Sequence, residues 1–434
     1  MWSSLKSGSW LTRERLRVYP ALLLAFQAIA ILTLVLTSDG RHDLFGRPLG
    51  TDFAQVWVAG TEVLGGRPEQ PFDLAAHLAG QRAFFGPATD VYGWHYPPYF
   101  LVVAALLATL PYALALAVWQ LSSLSLYLAG TCAVLRGTGL PRRDIVVAAL
   151  AFPAVFINLT HGQNGFLTAG LFAGALLCLK KRPWLAGIAF ALLVYKPQFG
   201  LVIPVALIAG RCWRTVASAG LGVAVLTGLS LGAFGPGTWT AFLNSLEFTR
   251  RVVLEEGNIG WEKIQSAFSA VRMLGGSVTA AYSVQAVVTG AVLGALVWLW
   301  HSRADARLKF AALLCAALLT TPYCLDYDMV LLGPAIAFMV AHALERGFFP
   351  LEKTMLAAAW LTPLIARIVA KLSYIPLGTT MMCLLFAAII LRAISEAYAS
   401  NSSDPESAWQ PEPLRNLHVL RPRLDKAELG SKSA

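Results

Sequence analysis

Apolar residues come in blocks of about 14 to 25 along this chain, separated by short polar joints that often hold proline or glycine. A bilayer core about 30 Å thick takes about 20 helical residues to cross, so these blocks predict membrane spans. Lipid offers no hydrogen-bond partner to a backbone N–H or C=O, which leaves only helices or closed barrels. The blocks do not alternate with polar residues, and this pattern favours helices over barrel strands.

The composition indicates the same class of protein. Apolar residues make up 57% of the 434 positions and charged residues 13%, whereas a soluble domain needs more charge on its surface. The net charge of +10 would suggest nucleic-acid binding in a soluble protein. Here much of the excess lies in short loops and at helix ends, where it orients the spans, so no nucleic-acid partner is predicted. The six cysteines form no CxxC pair, which argues against a disulfide framework or a zinc site.

Charge and hydropathy divide the chain into three parts. Basic residues precede the first span, which places residues 1–18 in the cytoplasm as the N-terminus. A transmembrane domain is predicted over residues 19–395, with external loops at about 38–96 and 235–279. Residues 396–434 are polar and contain proline, which predicts a disordered cytoplasmic tail.

The number of spans depends on how the shorter blocks are joined. Merging residues 185–209 into one kinked span gives about 12 crossings with both termini in the cytoplasm. This arrangement puts Gln163 and Asn164 near the inner face of the membrane, opposite the first external loop. We therefore predict an all-α polytopic membrane protein with about 12 transmembrane helices.

The first external loop contains two short helices that we expect to lie on the membrane surface. Apolar residues recur at helical spacing over 53–64, with Asp52 at the start and Gly65 and Gly66 at the end. A second helix is predicted over 73–84. Asp52 has two interpretations: it caps the first helix, or it is a general base that takes the proton of a sugar or lipid hydroxyl.

Polar residues at the ends of apolar blocks are candidates for substrate binding. His95 and Tyr96 lie where the first loop re-enters the membrane. They either anchor the chain at the interface or contact a phosphate or a sugar hydroxyl. Gln163 and Asn164 lie between two blocks, where they form either a polar turn or a pair of amides for sugar hydroxyls, since an amide both donates and accepts.

Charged residues near membrane depth are further candidates. Lys196 and Gln198 lie between two apolar blocks, and a lysine in that position usually pairs with an anion or lines a water-filled cavity. Asp326 and Asp328 open another block, where they could cap a helix, bind a sugar or ligate a divalent cation. Arg272 in the second loop is either a phosphate ligand or a solvated arginine. No metal-ligand set is assigned.

Taken in order, these residues and their neighbours resemble the pattern of glycosyltransferase family 87. This family is a branch of the membrane-embedded GT-C superfamily that includes polyprenyl-phosphate-mannose-dependent mannosyltransferases. The matching positions are Asp52-Phe53, Ala59-Gly60, His95-Tyr96-Pro97-Pro98-Tyr99-Phe100, Trp119, Gly162-Gln163-Asn164, Gly187, Lys196-Pro197-Gln198, Pro204 and Arg211 to Arg214, with Gln265-Ser266, Arg272, Thr321-Pro322 and Asp326 more loosely.

The resemblance implies a GT-C-like helical bundle that works at the outer face of a bacterial inner membrane. It implies an inverting transfer of a hexose or pentose, with mannose favoured, from a polyprenyl-phosphate sugar to a glycolipid or glycan acceptor among the membrane lipids. It also implies that Asp52 is the catalytic aspartate, and that the other polar candidates bind substrate. No cofactor follows from it, and a divalent cation stays open.

A secondary transporter of a small polar solute is the alternative from another class. Broken helices and a lysine at membrane depth, Lys196, are typical of transporters. Transporters of that kind often show two related halves, however, and neither an internal repeat nor a short first loop is evident here. The chain also has no evident nucleotide-binding fingerprint, which agrees with a lipid-linked sugar donor.

Overall fold

The structure is a computed structural model that describes residues 1–401, with side chains through Ala399. Within that range the protein is all-helical and has no β-strand, which confirms the predicted all-α membrane protein. The helices are α1 Trp2–Ser7, α2 Arg13–Leu36, α3 Phe53–Leu64, α4 Leu74–Phe85, α5 Phe100–Ala108, α6 Tyr112–Val134, α7 Arg142–Leu150, α8 Pro153–His161, α9 Gly165–Cys178, α10 Pro183–Leu192, α11 Val202–Ala209, α12 Trp213–Phe248, α13 Ala267–Met273, α14 Val278–His301, α15 Ala306–Leu319, α16 Leu332–Arg346, α17 Glu352–Ser373 and α18 Leu377–Asn401.

Helix length separates two kinds of membrane segment. In the described residues, seven helical segments are long and apolar enough to cross a bilayer, or eight when α7 and α8, bent by 54° at their junction, count as one broken span. Three shorter apolar helical segments accompany them, Gly165–Cys178, Pro183–Tyr195 and Pro197–Ala209. A helix of 14 residues such as α9 is only about 21 Å long. The described residues therefore confirm a polytopic helical protein with at least seven candidate spans, and the number of about 12 stays a prediction.

Two contacts show which ends of the helices lie together. Arg17 at the start of α2 forms an ion pair of 2.8 Å with Asp144 at the start of α7. At the opposite end, the backbone N–H of Asp52 donates to the carbonyl of His161, the last residue of α8, over 3.0 Å. The pair α7–α8 therefore runs in the same direction as α2. The prediction that Gln163 lies on the side opposite the first loop is wrong, because the joint after α8 contacts that loop directly.

The merged span over 185–209 is also wrong. The hydroxyl of Thr215 near the start of α12 donates to the carbonyl of Pro183 at the start of α10, over 3.1 Å, so both helices begin at the same end. Between them the chain reverses at Lys196 and returns through α11 as a separate pass.

The block of 99–110 does not cross the bundle. At its start the Tyr99 hydroxyl donates to the carbonyl of Val194 over 2.5 Å, beside the reversal at Lys196. Just after it, the Tyr112 hydroxyl donates to the carbonyl of Leu49 over 2.6 Å. Both ends of α5 therefore contact the end of the bundle that carries the first loop.

Helix α3 has the predicted bounds but a different environment. We expected it to lie on the membrane surface, yet most of its residues are buried, including Phe53 and Glu62. The reason is its close approach to α5: a Cβ atom added to Gly60 would overlap the backbone carbonyl of Ala104. The first loop is therefore built into the bundle.

Two segments predicted to lack regular structure are partly helical. The second loop, 235–279, begins with a break at Gly235 (φ 77°, ψ 168°), after which α12 continues to Phe248. A π-helix follows over Thr249–Glu255, and α13 completes the segment. The predicted tail over 396–434 starts inside α18, and its residues from 402 onward lie outside the described range.

Replacing Gly60 with alanine should lower the melting temperature of the detergent-solubilised protein, because the new Cβ meets backbone of α5 that cannot move cheaply. Overpacking of this kind costs about 1–3 kcal/mol. Gly174 on α9 is the matched control, since its added Cβ would have no atom within 4 Å and alanine favours helix. Equal melting temperatures for Gly60→Ala and Gly174→Ala would contradict this packing.

Candidate active site

Asp52 stands at the start of α3 without acting as its cap. Its side chain makes no hydrogen bond to the first turn of the helix, whereas Asp73 accepts from two backbone N–H groups at the start of α4. Instead the Asp52 carboxylate accepts a hydrogen bond of 2.7 Å from the side-chain amide of Gln163, at Oδ2. No described residue donates to the other oxygen, Oδ1. The general-base interpretation of Asp52 therefore fits its contacts better than the cap.

A glycine lets the Gln163 joint approach Asp52. Gly162 ends α8 in the left-handed region, at φ 65°. A Cβ atom there would lie 2.6 Å from Cβ of Phe53 and 2.8 Å from the carbonyl oxygen of Gly50. The indole N–H of Trp119 donates to the Gly162 carbonyl over 3.1 Å. Conformation and space both require glycine here, and the tight turn brings Gln163 to the carboxylate.

Asn164 places a free amide oxygen inside the same region. Its side chain is 2% exposed, and its Oδ1 atom has no hydrogen-bond partner among the residues that the structure describes. Its backbone carbonyl accepts from the Tyr195 hydroxyl over 3.2 Å, and Tyr195 also shares a 2.5 Å hydrogen bond with Thr168. A buried polar atom without a partner is costly, and the role of Asn164 in binding a sugar hydroxyl stays a prediction.

Lys196 and Asp328 form a buried ion pair between the reversal after α10 and the segment before α16. Their side chains are 3% and 1% exposed. The second oxygen of Asp328 accepts from the backbone N–H of Leu325 over 3.1 Å, and the lysine nitrogen lies 5.0 Å from the centre of the Tyr327 ring. The sequence predicted both charges as candidates but not their pairing.

Asn158 connects these groups, and the sequence analysis missed it. Its amide donates to the carbonyl of Tyr327 over 2.8 Å, and its oxygen accepts from the backbone N–H of Gly165 over 3.0 Å. This buried side chain ties the Gln163 joint to the segment that holds Asp328. A polar residue near the end of an apolar block, five positions before the motif, was the signal that could have identified it.

Tyr96 lies beside the Gln163 joint, because its ring centre is 6.3 Å from that of Tyr195, whose hydroxyl donates to the Asn164 carbonyl. Burial raises the pKa of Tyr96 well above its ordinary value, and the charges of Asp52 and Asp328 act in the same direction. Its neighbour His95 shares a 2.9 Å hydrogen bond with the hydroxyl of Thr249. Burial lowers the pKa of His95 to about 4, so the imidazole is neutral near pH 7. Of the predicted residues, Tyr96 is therefore placed beside the joint that carries Gln163 and Asn164.

Side-chain contacts do not bring the predicted residues Gln198 and Arg272 to the proposed site. Gln198 is half-buried, and its side chain makes no hydrogen bond to the described residues. Arg272 donates to the backbone carbonyls of Gly276, over 2.6 Å, and Glu255, over 3.1 Å, and it stacks on Trp261 at 4.5 Å. These contacts fold the second loop, and its role as a phosphate ligand stays a prediction.

The two carboxylates at 326 and 328 are not arranged as a metal site. Asp326 accepts from the N–H of Tyr327 and lies 3.8 Å from a guanidinium nitrogen of Arg367, while Asp328 is paired with Lys196. No group of three or more His, Cys, Asp or Glu side chains that could hold a metal occurs in residues 1–401. A divalent cation would have to displace these partners, and it stays a prediction.

Comparison with protein families gives one match. The model of glycosyltransferase family 87 matches residues 94–325, more than half of the chain. The chain belongs to glycosyltransferase family 87. The comparison with curated proteins found no match, and neither did the comparison with solved structures.

Membership makes the protein a membrane glycosyltransferase and confirms the resemblance seen in the sequence. The family 87 match includes His95, Gln163, Lys196 and Arg272. Asp52 lies outside it, before residue 94, and its place in the site comes from its contact with Gln163.

The buried pair of this family 87 enzyme should couple strongly in a double-mutant cycle. Lys196→Met or Asp328→Asn alone leaves one buried charge unpaired, which costs about 3–5 kcal/mol. The double variant leaves no buried charge unpaired. Its loss of unfolding free energy should therefore be smaller than the sum of the losses in the two single variants. Thermal unfolding of all four proteins in detergent measures the coupling, and additive losses would show that the ion pair is absent.

Proposed function

We propose that this glycosyltransferase moves a hexose or pentose, with mannose favoured, from a polyprenyl-phosphate sugar to a glycolipid or glycan acceptor. The reaction takes place at the outer face of a bacterial inner membrane. The observation that carries the proposal is the Asp52 carboxylate, which is held by the Gln163 amide and leaves one oxygen unbonded within the described protein. A carboxylate fixed in this way beside a membrane-embedded site is suited to general-base catalysis.

The chemical step needs few groups. The acceptor hydroxyl attacks the anomeric carbon of the donor, and its proton passes to Asp52. A bond from the acceptor oxygen to the anomeric carbon forms, while the bond from that carbon to the phosphate oxygen breaks, and the polyprenyl phosphate leaves with its electron pair. The Gln163 amide orients the carboxylate, and the free oxygen of Asn164 accepts a hydrogen bond from a sugar hydroxyl.

Lys196 is the proposed ligand of the donor phosphate. A buried lysine is costly unless an anion pairs with it, and Asp328 fills that role in the structure. The leaving phosphate gains negative charge as the bond breaks, and a fixed cation stabilises that charge. When the donor binds, its phosphate therefore either replaces the Asp328 carboxylate beside the Lys196 ammonium group or joins it there.

An apolar groove supports a lipid-linked donor. It has a volume of about 320 Å³ and lies between α2 and the broken pair α7–α8. Leu24, Ile31 and Leu150 line it, and it reaches Leu159, two residues before the His161 carbonyl that binds the Asp52 backbone. An isoprenoid chain lying there would have its phosphate near the site.

Asp52→Asn and Asp52→Ala should lower kcat by at least about 10²-fold, the usual contribution of a general base. Asp43→Asn is the matched control in the same loop, because its carboxylate binds only the N–H groups of Phe45 and Arg47 and the Arg47 side chain. That variant should keep its activity. The assay follows release of polyprenyl phosphate by purified protein, and normal release by Asp52→Ala would remove the base from this proposal.

The role of Lys196 can be tested by comparing the donor KM of two variants that both lack Asp328, so that neither contains an unpaired aspartate. Asp328→Asn keeps the lysine and frees it from its partner, whereas the double variant Lys196→Met/Asp328→Asn removes the cation. We expect the donor KM of the double variant to be at least about tenfold higher than that of Asp328→Asn, as for a lost charge-assisted hydrogen bond. Equal values would make Lys196 a purely structural residue.

A further inference from the structure

A large cavity lies beside the proposed site and has no role in the chemistry described so far. Its volume is about 860 Å³, within the range of 300–1,000 Å³ typical of ligand pockets. One wall comes from the first loop, around residues 67–76 and 93–95, and the other from the last turns of α12, residues 241–249. It therefore lies between the two segments predicted to be external.

Three polar side chains on its walls have no hydrogen-bond partner in the described protein, whereas Gln70, Asp73 and Ser245 do. Arg67, Glu69 and Asn244 line the cavity, and none of them makes a side-chain hydrogen bond or ion pair within the described part of the chain. Arg67 can donate hydrogen bonds, Glu69 can accept them, and the amide of Asn244 can do both. Because Glu69 and Asp73 outnumber the single arginine, the cavity does not favour an anion.

Aromatic rings complete the walls. Phe72, Trp94 and Phe248 all line the cavity, and Phe248 is 37% exposed. Rings combined with hydroxyl-binding polar groups suit a neutral polyol, which has apolar C–H faces and many hydroxyl groups. A carbohydrate has this chemistry, whereas a phosphate or a purely apolar chain does not.

The cavity reaches the proposed site through His95. This residue lines the cavity, and its ring centre lies 6.3 Å from that of Tyr323. Tyr323 lies two residues before Leu325, whose backbone N–H donates to the Asp328 carboxylate over 3.1 Å. His95 also bonds Thr249, the first residue of the π-helix, and such helices are frequent at functional sites.

We infer that this cavity binds the carbohydrate of the acceptor and holds more than one sugar unit. The inference rests on the proposed glycosyl transfer and adds the class of acceptor. The sugar that is extended lies toward His95 and the site, and the preceding units contact Asn244, Arg67 and the aromatic walls. An acceptor with several sugars should therefore be preferred over a single sugar on the same lipid.

The test uses octyl mannosides with one, two or three sugar units as acceptors, and the polyprenyl-phosphate sugar that the wild type accepts as donor. In the wild type, kcat/KM for the acceptor should rise at least about tenfold from one unit to three, the effect of about 1.4 kcal/mol of added binding. Asn244→Trp fills the cavity and should abolish this rise, and Asn244→Ala should reduce it.

Leu243→Trp is the matched control, since Leu243 is 58% exposed on the same helix and does not line the cavity. It should keep the full preference, and the donor KM should be the same in every variant. A preference that survives in Asn244→Trp, or equal use of all three acceptors by the wild type, would overturn the subsite.

Binding without turnover separates this inference from the proposed function. The trisaccharide should bind to Asp52→Asn protein in equilibrium titrations, and the additional Asn244→Trp change should weaken that binding at least about tenfold. Binding that depends on Asn244 while no polyprenyl donor supports transfer would overturn the proposed function and leave the subsite. If transfer depends on Asp52 but trisaccharide binding does not depend on Asn244, the proposed function is supported and the subsite is overturned.

Discussion

The contact between two helix ends, the segment 50–53 at the start of α3 and the segment 161–164 at the end of α8, holds the proposed site together. The backbone N–H of Asp52 bonds the His161 carbonyl, the Gln163 amide bonds the Asp52 carboxylate, and Gly162 removes the side chain that would separate them. Both segments interrupt helices, and backbone groups at membrane depth need partners in the protein. Each segment supplies hydrogen-bond partners to the other, so the carboxylate that we propose as the base lies where two helix ends meet.

A second connection fixes the opposite side of the site. The pair Lys196–Asp328 joins the reversal after α10 to the segment before α16, and Asn158 links that segment to the start of α9. Desolvating two charges is expensive, and a hydrophobic pair of similar shape is often as stable. The retention of such a pair beside unpartnered polar atoms is typical of a binding site. The ammonium group of Lys196 therefore joins two segments of the fold, and it is the same group that we propose for the donor phosphate.

Local sequence predicted the helices of the first loop well and their surroundings poorly. The bounds of α3 followed from Asp52 before the apolar repeat and from Gly65 and Gly66 after it, and α4 begins and ends one residue later than the predicted 73–84. Whether Asp52 caps its helix is not a local matter, because Gln163 competes for the carboxylate. The burial of α3 depends on Gly60, whose missing side chain admits α5. The spacing of the apolar residues along α3 does not indicate which helix packs against it.

The sequence alone determined that this protein is an all-helical membrane glycosyltransferase of family 87, because hydropathy is a sum over local residues and the motifs are read in order. Only the tertiary structure decided that Gln163 lies beside Asp52, that 183–209 makes two short passes, and that Arg272 folds its own loop. These facts depend on contacts between segments far apart in the chain. Charge and hydropathy predict the orientation of a long span in the membrane. They do not show whether a short apolar block crosses the membrane or turns back within it.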